Sequence, residues 1–258
     1  MDQQPTNRYS RQTILPQIRR EGQEKLAAAT VLVCGVGALG SSMAEMLARA
    51  GVGTLRLADR DYLELHNLQR QSLYTEADVA GGLPKAVAAA RHIAEINSEV
   101  RVEPRVVDVT PDTMGDLLDG VAVALDGTDN LQTRYLLNDA CVERGIPWVY
   151  SGVIGTSGVS LTVVPGRSAC LRCLFPEEPA GDALPSCAQG GVLGPAAAVV
   201  AGLQAAEVVK EIVGFGRSLS GSLLLYDAAG AGVERVGLRR RPECAPGCAR
   251  LAGSGAAA

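Results

Sequence analysis

Histidine is nearly absent from this chain. Only His66 and His92 occur among 258 residues, too few for a histidine-rich metal centre or for a Ser-His-Asp triad with supporting groups. Aromatic side chains make up 3%, with Trp148 the single tryptophan, which argues against a platform for stacking single strands or sugars. Basic charge is not in excess: 24 Lys and Arg face 28 Asp and Glu for a net charge of -4, so a nucleic-acid binder is not expected. Long apolar runs are missing too. The longest, Val192 to Ala206, is broken by Gly194 and Pro195 and contains Gln204, so it reads as a buried helix and no membrane association is expected. Met1 to Gln12 is polar and lacks the apolar centre of a secretory signal. Seven cysteines without such a leader suggest a reducing, cytoplasmic setting, where paired cysteines bind metal more often than they form disulfides.

What is present is a chain that is 47% hydrophobic and 20% charged, enough to bury a sizeable core. The apolar run Val31 to Cys34 leads into Gly35-Val36-Gly37-Ala38-Leu39-Gly40, and Ser41 to Ala50 follows with helical spacing of Met43, Met46 and Leu47. A second apolar run, Thr54 to Ala58, ends at Asp59-Arg60-Asp61. This β-α-β unit predicts half of a Rossmann-like, mostly parallel sheet with helices on both faces. Helices are expected over Pro84 to Ile96 (proline in the first turn), Leu131 to Arg144 (ended by Gly145) and Pro195 to Val213. Strands are expected over Val100 to Val109, Val121 to Leu125 and Trp148 to Ser151. From Gly152 the pattern becomes antiparallel, with strands at Val159 to Val164, Ser222 to Tyr226 and Val233 to Leu238. Pro176 to Pro185 reads as a mobile loop. The expected organisation is one domain over 1–258, with a nucleotide-binding half at 7–150, a second half at 151–250 and a flexible tail at 251–258.

Gly35, Gly37 and Gly40 suit a turn that brings backbone N–H groups to a phosphate at a helix N-terminus, and Asp59 suits ribose hydroxyls. The competing reading is a glycine turn kept for packing alone. NAD is the default ligand of this fingerprint, but no second-domain base or acid of a nicotinamide enzyme is visible. Instead the string His66-Asn67-Leu68-Gln69-Arg70-Gln71 follows, Arg70 can fork onto phosphate oxygens, and Lys85 adds a second cation. Together they suggest a triphosphate. In Asp126-Gly127-Thr128-Asp129-Asn130 a carboxylate at a strand's C-terminal end suits Mg²⁺, and Asp129 equally suits the cap of the following helix.

Cys170-Leu171-Arg172-Cys173 and Cys244-Ala245-Pro246-Gly247-Cys248 can supply the four thiolates of a structural zinc site, which would staple the C-terminal segment to the domain; a redox pair is the alternative. Cys34 and Cys141 read as inert core residues. Cys187, in Pro185-Ser186-Cys187-Ala188-Gln189-Gly190-Gly191, is a loop thiol that reads equally as a nucleophile or as an incidental surface cysteine.

These residues together resemble the MoeB/ThiF/HesA adenylyltransferases, bacterial relatives of ubiquitin-activating enzymes. The matching marks run from Arg8-Tyr9-Ser10-Arg11-Gln12 through GVGALG at Gly35 to Gly40, Asp59 and NLQRQ at Asn67 to Gln71. They continue with Pro84-Lys85, TDN at Thr128 to Asn130, CLRCLFP at Cys170 to Pro176, Cys187 with Gly191, and the final cysteine pair. The resemblance implies ATP-dependent adenylylation of the C-terminal Gly-Gly carboxylate of a ubiquitin-like sulfur carrier, ThiS-like or MoaD-like. It also implies that the Gly35 to Gly40 turn, Ala38 included, holds the nucleotide with Asp59 and the adjoining Asp61. Asn67, Arg70 and Lys85 are then phosphate contacts within the His66 to Gln71 string, and Asp129, beside Asn130, is the Mg²⁺ ligand. Arg11 resembles an arginine that reaches from a partner subunit, so a homodimer is implied, and Cys187 matches a loop cysteine that in some members links covalently to the carrier. Departures are visible: Ala38 stands where glycine is common, His66 replaces a small residue, Gly81-Gly82-Leu83 lengthens the approach to Lys85, and the last cysteine pair is spaced C-x-x-x-C. No rhodanese segment follows Cys248, so a persulfide domain of its own is not expected. Activation of a tRNA-modification dehydratase substrate or of a peptide is the alternative within the family; the two cysteine pairs favour the carrier branch.

Overall fold

Residue alternation in the first strand sets the layers. In the computed structural model, which describes residues 8–178 and 190–244, β1 (Thr30–Cys34) sends Val31 and Val33 to one face of a sheet and Leu32 and Cys34 to the other, all fully buried. Both faces are therefore apolar, as a strand covered on both sides requires. The chain opens with α1 (Ser10–Thr13) and α2 (Arg19–Ala28) before β1, and α3 (Ala38–Ala50) crosses to β2 (Thr54–Ala58). After a short α4 (Glu76–Ala80), α5 (Lys85–Ile96) leads to β3 (Arg101–Arg105), α6 (Pro111–Leu117) to β4 (Val123–Asp126), and α7 (Leu131–Arg144) to β5 (Trp148–Ile154). Then come β6 (Ser157–Val163), α8 (Leu171–Leu174), α9 (Gly194–Val213), β7 (Ser222–Asp227) and β8 (Gly232–Gly237).

The strands form one 8-stranded sheet in the order β3-β2-β1-β4-β5-β6-β7-β8. Pairing is parallel from β3 to β5 and antiparallel from β5 to β8. Helices α2, α3, α5 and α9 cover the Val31 face, while α6, α7 and α8 cover the Leu32 face. No helix among the described residues is long and apolar enough to cross a membrane.

Three expectations shift. The strand expected over Val100 to Val109 stops at Arg105: it is the sheet edge, and Pro104 within it lacks an N–H for a ladder. Residues 107–109 leave the sheet instead and line the cleft described below. Pro84 is the N-cap of α5, with extended backbone, rather than part of its first turn. The strand from Trp148 runs on through Gly152 to Ile154, because Gly152 pairs opposite Val159 in β6 and does not break the ladder. The Pro176–Pro185 loop lies for the most part outside the described residues, as does the tail.

Arg56 of β2 ties the edge together. Its Nε donates to Glu103 of β3 at 2.8 Å, and its Nη1 donates to the carbonyls of Leu117 and Asp119, at 2.9 and 2.8 Å, at the end of α6. The guanidinium beside it holds the Glu103 carboxyl below the ordinary carboxylate range. A depressed carboxyl contributes stability above its ordinary pKa that is lost as pH falls through the depressed value. Arg56→Met leaves these carbonyls without their donor and Glu103 with only the more exposed Arg101 and Arg105, at 3.2 and 3.6 Å, and is expected to destabilise the fold by about 3 kcal/mol in urea denaturation. Glu103→Gln is expected to flatten the acid limb of a Tm-against-pH curve.

Candidate active site

The turn after β1 and the turn after β4 meet backbone to backbone. Gly35 has φ +80°, and a Cβ there would lie 2.8 Å from the Gly127 carbonyl oxygen; a Cβ at Gly40 would lie 1.8 Å from the Gly35 oxygen. No larger residue fits at either place. Gly37 differs: a Cβ there would meet nothing nearer than Gln71 Nε2 at 3.7 Å, because it faces open space. That space is a cleft of about 700 Å³ at the C-terminal ends of β1, β2 and β4, where open α/β sheets bind ligands.

The cleft brings together most of the residues expected from the sequence. Gly35, Gly37, Ala38, Asp59, Asp61 and His66 line it, as do Asn67, Arg70, Gln71, Lys85, Asp129 and Asn130. Gly40, Leu68, Gln69 and Arg11 do not. Gly40 lies under the turn, Leu68 packs on the core, Gln69 points its amide toward the Val192 carbonyl at 3.5 Å, and Arg11 stands exposed on α1.

Asp59 is held by the backbone, its Oδ2 accepting the Val36 N–H at 2.7 Å and its Oδ1 the Asp61 N–H at 2.8 Å. Burial raises its carboxyl above the ordinary range against the pull of those donors. Lys85 Nζ donates to Asp61 Oδ2 at 2.8 Å and keeps two further N–H donors for a ligand. Arg70 donates Nη1 to the His66 carbonyl at 3.0 Å. Asn67 spends its amide locally: Oδ1 accepts from the Glu64 N–H at 3.1 Å and Nδ2 lies 3.1 Å from His66 Nε2, closing the turn before Arg70. Gln71 is buried, and its Oε1 has no hydrogen-bond partner among the described residues. An orphaned acceptor and an open glycine cradle in one cleft fit a polar ligand seated on the N-terminus of α3.

The helix-cap reading of Asp129 is corrected: Asn130 caps α7, its Oδ1 accepting the Thr133 N–H at 2.8 Å. Asp129 is exposed on the cleft side of that turn. Sequence reasoning missed Arg134, Arg60 and Asp108, all of which line the cleft; Arg60 Nη1 and Asp108 Oδ1 pair at 2.7 Å. One signal was available for Arg134, since a carboxylate ending a buried strand, as Asp126 does, calls for a nearby cation. Asp126 is wholly buried and pairs with Arg134 at 3.0 Å; burial raises its carboxyl and Arg134 opposes the rise.

On the other face, Cys170 Sγ lies 3.9 Å from Cys173 Sγ and 3.4 Å from Cys244 Sγ. All three Sγ atoms fall within 4.8 Å of one another, near the roughly 3.8 Å edge that Zn–S bonds of about 2.3 Å give a tetrahedron. The cluster could hold a metal. Its fourth expected ligand, Cys248, and the loop thiol Cys187 lie outside the described residues. Cys34 and Cys141 are fully buried, and burial pushes both thiols up, as inert core cysteines require.

A doubly wound sheet with this cleft at its switch point defines an open α/β protein with a ligand crevice at the carboxyl ends of its strands. The profile of the ThiF family matches residues 9–246, and the chain belongs to that family. It is 46% identical over 209 residues to the sulfur carrier protein ThiS adenylyltransferase of Bacillus subtilis, covering 81% of this chain and 62% of the relative. It is 45% identical over 239 residues to the adenylyltransferase and sulfurtransferase MOCS3 of Sus scrofa, covering 92% and 52%. With the sulfur carrier protein adenylyltransferase of Thermus thermophilus it shares 43% over 243 residues, covering 92% and 89%. The chain thus spans less than two thirds of the Bacillus and Sus relatives and most of the Thermus one. Among solved structures, Escherichia coli MccB with ATP superposes with a TM-score of 0.81 at 24% identity, over 93% of this chain and 74% of that one, a likeness of fold.

Two glycines in helix interiors separate close packing from simple backbone freedom. Gly40→Ala is expected to destabilise by about 3 kcal/mol. Gly202→Ala in α9, where a Cβ meets only Met46 Sδ at 3.9 Å, is expected to stabilise by about 0.5–1 kcal/mol. Urea denaturation of both variants checks the pair.

Proposed function

We propose that this protein adenylylates the C-terminal Gly-Gly carboxylate of a ubiquitin-like sulfur carrier at the expense of ATP, releasing pyrophosphate. The observation that carries this reading is the cleft, in which Gly37, Asp59, Arg70, Gln71, Lys85 and Asp129 face one space on a ThiF-family sheet. The relatives' names as adenylyltransferases of sulfur carrier proteins supply the substrate class.

The chemistry needs no histidine. A C-terminal carboxylate has a pKa of about 3.5, so it is ionised at neutral pH and attacks the α-phosphate without a general base. The residues' work is alignment and charge neutralisation. In this reading the Gly35 to Gly40 turn and the start of α3 seat the phosphates, and Asp59 takes the ribose hydroxyls. Gln71 gains a partner for Oε1, while Arg70 and Lys85 neutralise charge as it moves to the leaving pyrophosphate. Lys85 can do so without releasing Asp61, since one ammonium serves both. Arg11, exposed on α1, would add a cation to the neighbouring cleft of a homodimer. Asp129 would hold Mg²⁺, which would supply positive charge against the phosphates. Cys170, Cys173, Cys244 and Cys248 would hold Zn²⁺, whose role would be structural. The site of action is the cytoplasm.

ATP–pyrophosphate exchange with Mg²⁺ tests the reaction, with ThiS-like and MoaD-like carriers supplied separately. Exchange is expected with one carrier class and should vanish when its last glycine is deleted; no exchange with any carrier overturns the reading. Arg70→Ala and Asp129→Ala are each expected to lower exchange by about 100-fold with Tm unchanged. Metal analysis of purified protein is expected to find one zinc per chain, and Cys170→Ser/Cys173→Ser is expected to lose it with a Tm fall of roughly 5–10 °C.

A further inference from the structure

Arg134 lines the cleft beside Thr128 and Asp129, where a phosphate-binding cation would be looked for, yet its donors are directed inward. Nε donates to Asp126 Oδ2 at 3.0 Å and Nη2 to the Thr128 carbonyl at 2.7 Å. The guanidinium carbon also sits 5.4 Å from the centroid of the Tyr150 ring. The side chain is 13% exposed and that of Asp126 is 0% exposed, so the pair is net neutral and adds little field for a polyanion.

Asp126 is gripped from every side. Its Oδ1 accepts the Thr128 N–H at 2.9 Å and the Thr128 hydroxyl at 2.7 Å. Its carbonyl oxygen accepts Gln204 Nε2 at 3.1 Å and Ser151 Oγ at 3.3 Å, from α9 and β5. The turn from Gly127 to Asp129 is thereby fastened to one buried charge pair, whereas Asp129 itself takes no hydrogen bond among the described residues. The aim of Asp129 therefore depends on its backbone and on the field of the neighbouring Arg134 guanidinium, and Arg134 holds that backbone together with the Asp126 carboxylate and the Gly127 N–H bond to the Cys34 carbonyl.

We propose that Arg134 is a positioning residue: through Asp126 and the Thr128 carbonyl it fixes the Gly127–Asp129 turn that presents Asp129 to the nucleotide site, and it does not itself bind phosphate. The proposal rests on the reading of the cleft as an Mg²⁺-ATP site. It concerns a buried ion pair, so removing one charge alone risks unfolding. Two variants are therefore compared with wild type: Arg134→Lys, which keeps the charge but loses the fork, and Asp126→Asn/Arg134→Gln, which removes both charges together.

The first measurement is hydrogen–deuterium exchange on the protein as purified, with its zinc, without nucleotide or added Mg²⁺. Amides of the Gly127–Thr133 peptide are expected to exchange about tenfold faster or more in both variants, with β1 and β4 within about twofold of wild type. The second is ATP binding by calorimetry, in EDTA and in a Mg²⁺ titration. Affinity in EDTA is expected to stay within about threefold, while the Mg²⁺ needed to reach half of its effect rises about tenfold or more. Unchanged exchange in the turn would overturn the proposal. So would a tenfold loss of ATP affinity in EDTA with the Mg²⁺ midpoint unmoved, because Arg134 would then be a phosphate ligand. Faster exchange throughout the sheet would assign the pair a purely structural role and overturn it equally. Failure of the underlying reading looks different: wild type itself would bind no ATP, and the purpose given to the turn would fall with it.

Discussion

The contact on which the site depends is between two backbones. Gly127 N–H donates to the Cys34 carbonyl at 2.7 Å, and Gly35 N–H donates to the Ala58 carbonyl at the same distance. Strands β1 and β4 are neighbours, but the helices that follow them, α3 and α7, go to opposite faces of the sheet. A crevice must open where the two chains part. Its depth is set by how closely the turns approach, and a Cβ at Gly35 or Gly127 would lie 2.8 or 2.4 Å from the other's oxygen. Widening that contact would move the start of α3 away from the Asp129 turn, and no side chain elsewhere in the cleft could compensate.

Charge in the cleft follows a second constraint. Its carboxylates are numerous, and most of its cations are already paired: Lys85 with Asp61, Arg134 with Asp126 and Arg60 with Asp108. Pairing is what allows Lys85 and Arg134 to be buried. It also leaves Arg70 as the arginine of the cleft with no carboxylate partner among the described residues. A triphosphate in such a cleft is undercompensated by the chain's own charges, which is the physical case for a divalent cation and for an arginine from a second subunit in the proposed reaction.

Legibility in the sequence followed how local the cause was. The β1–α3–β2 unit and α7 could be read directly because apolar runs, helical spacing and terminal glycines all sit within the segment they specify. The β3 strand could not, since its shortness comes from lying at the sheet edge with Pro104 in it. Within the site, Asp59, Arg70 and Lys85 were legible as parts of one motif series behind the glycine turn. Residues 107–109 and Arg134 were not, because topology rather than sequence spacing carries them to the cleft. Asn67 and Asn130 show the converse limit. Their residue type suits ligand binding, yet the structure spends the whole Asn67 amide and the Asn130 Oδ1 on closing turns. Composition names candidates for contact with a ligand, and only the hydrogen-bond partners decide which are free to make it.

The cysteine cluster and the cleft lie on one mechanical line. Tyr135 sends its hydroxyl to within 3.0 Å of the Phe175 and Glu177 carbonyls, Asn138 accepts the Leu171 N–H at 3.0 Å, and Asp139 takes Arg172 at 2.6 and 2.7 Å. All three belong to α7, whose first turns carry the Asn130 cap and Arg134. A helix of 14 residues is about 21 Å long and stiff on that scale. The segment that carries Cys170 and Cys173 therefore grips the same helix that fastens the Asp129 turn. The cysteine segment is thereby anchored on the same stiff element whose first turns are tied to the cleft by the Asp126–Arg134 pair.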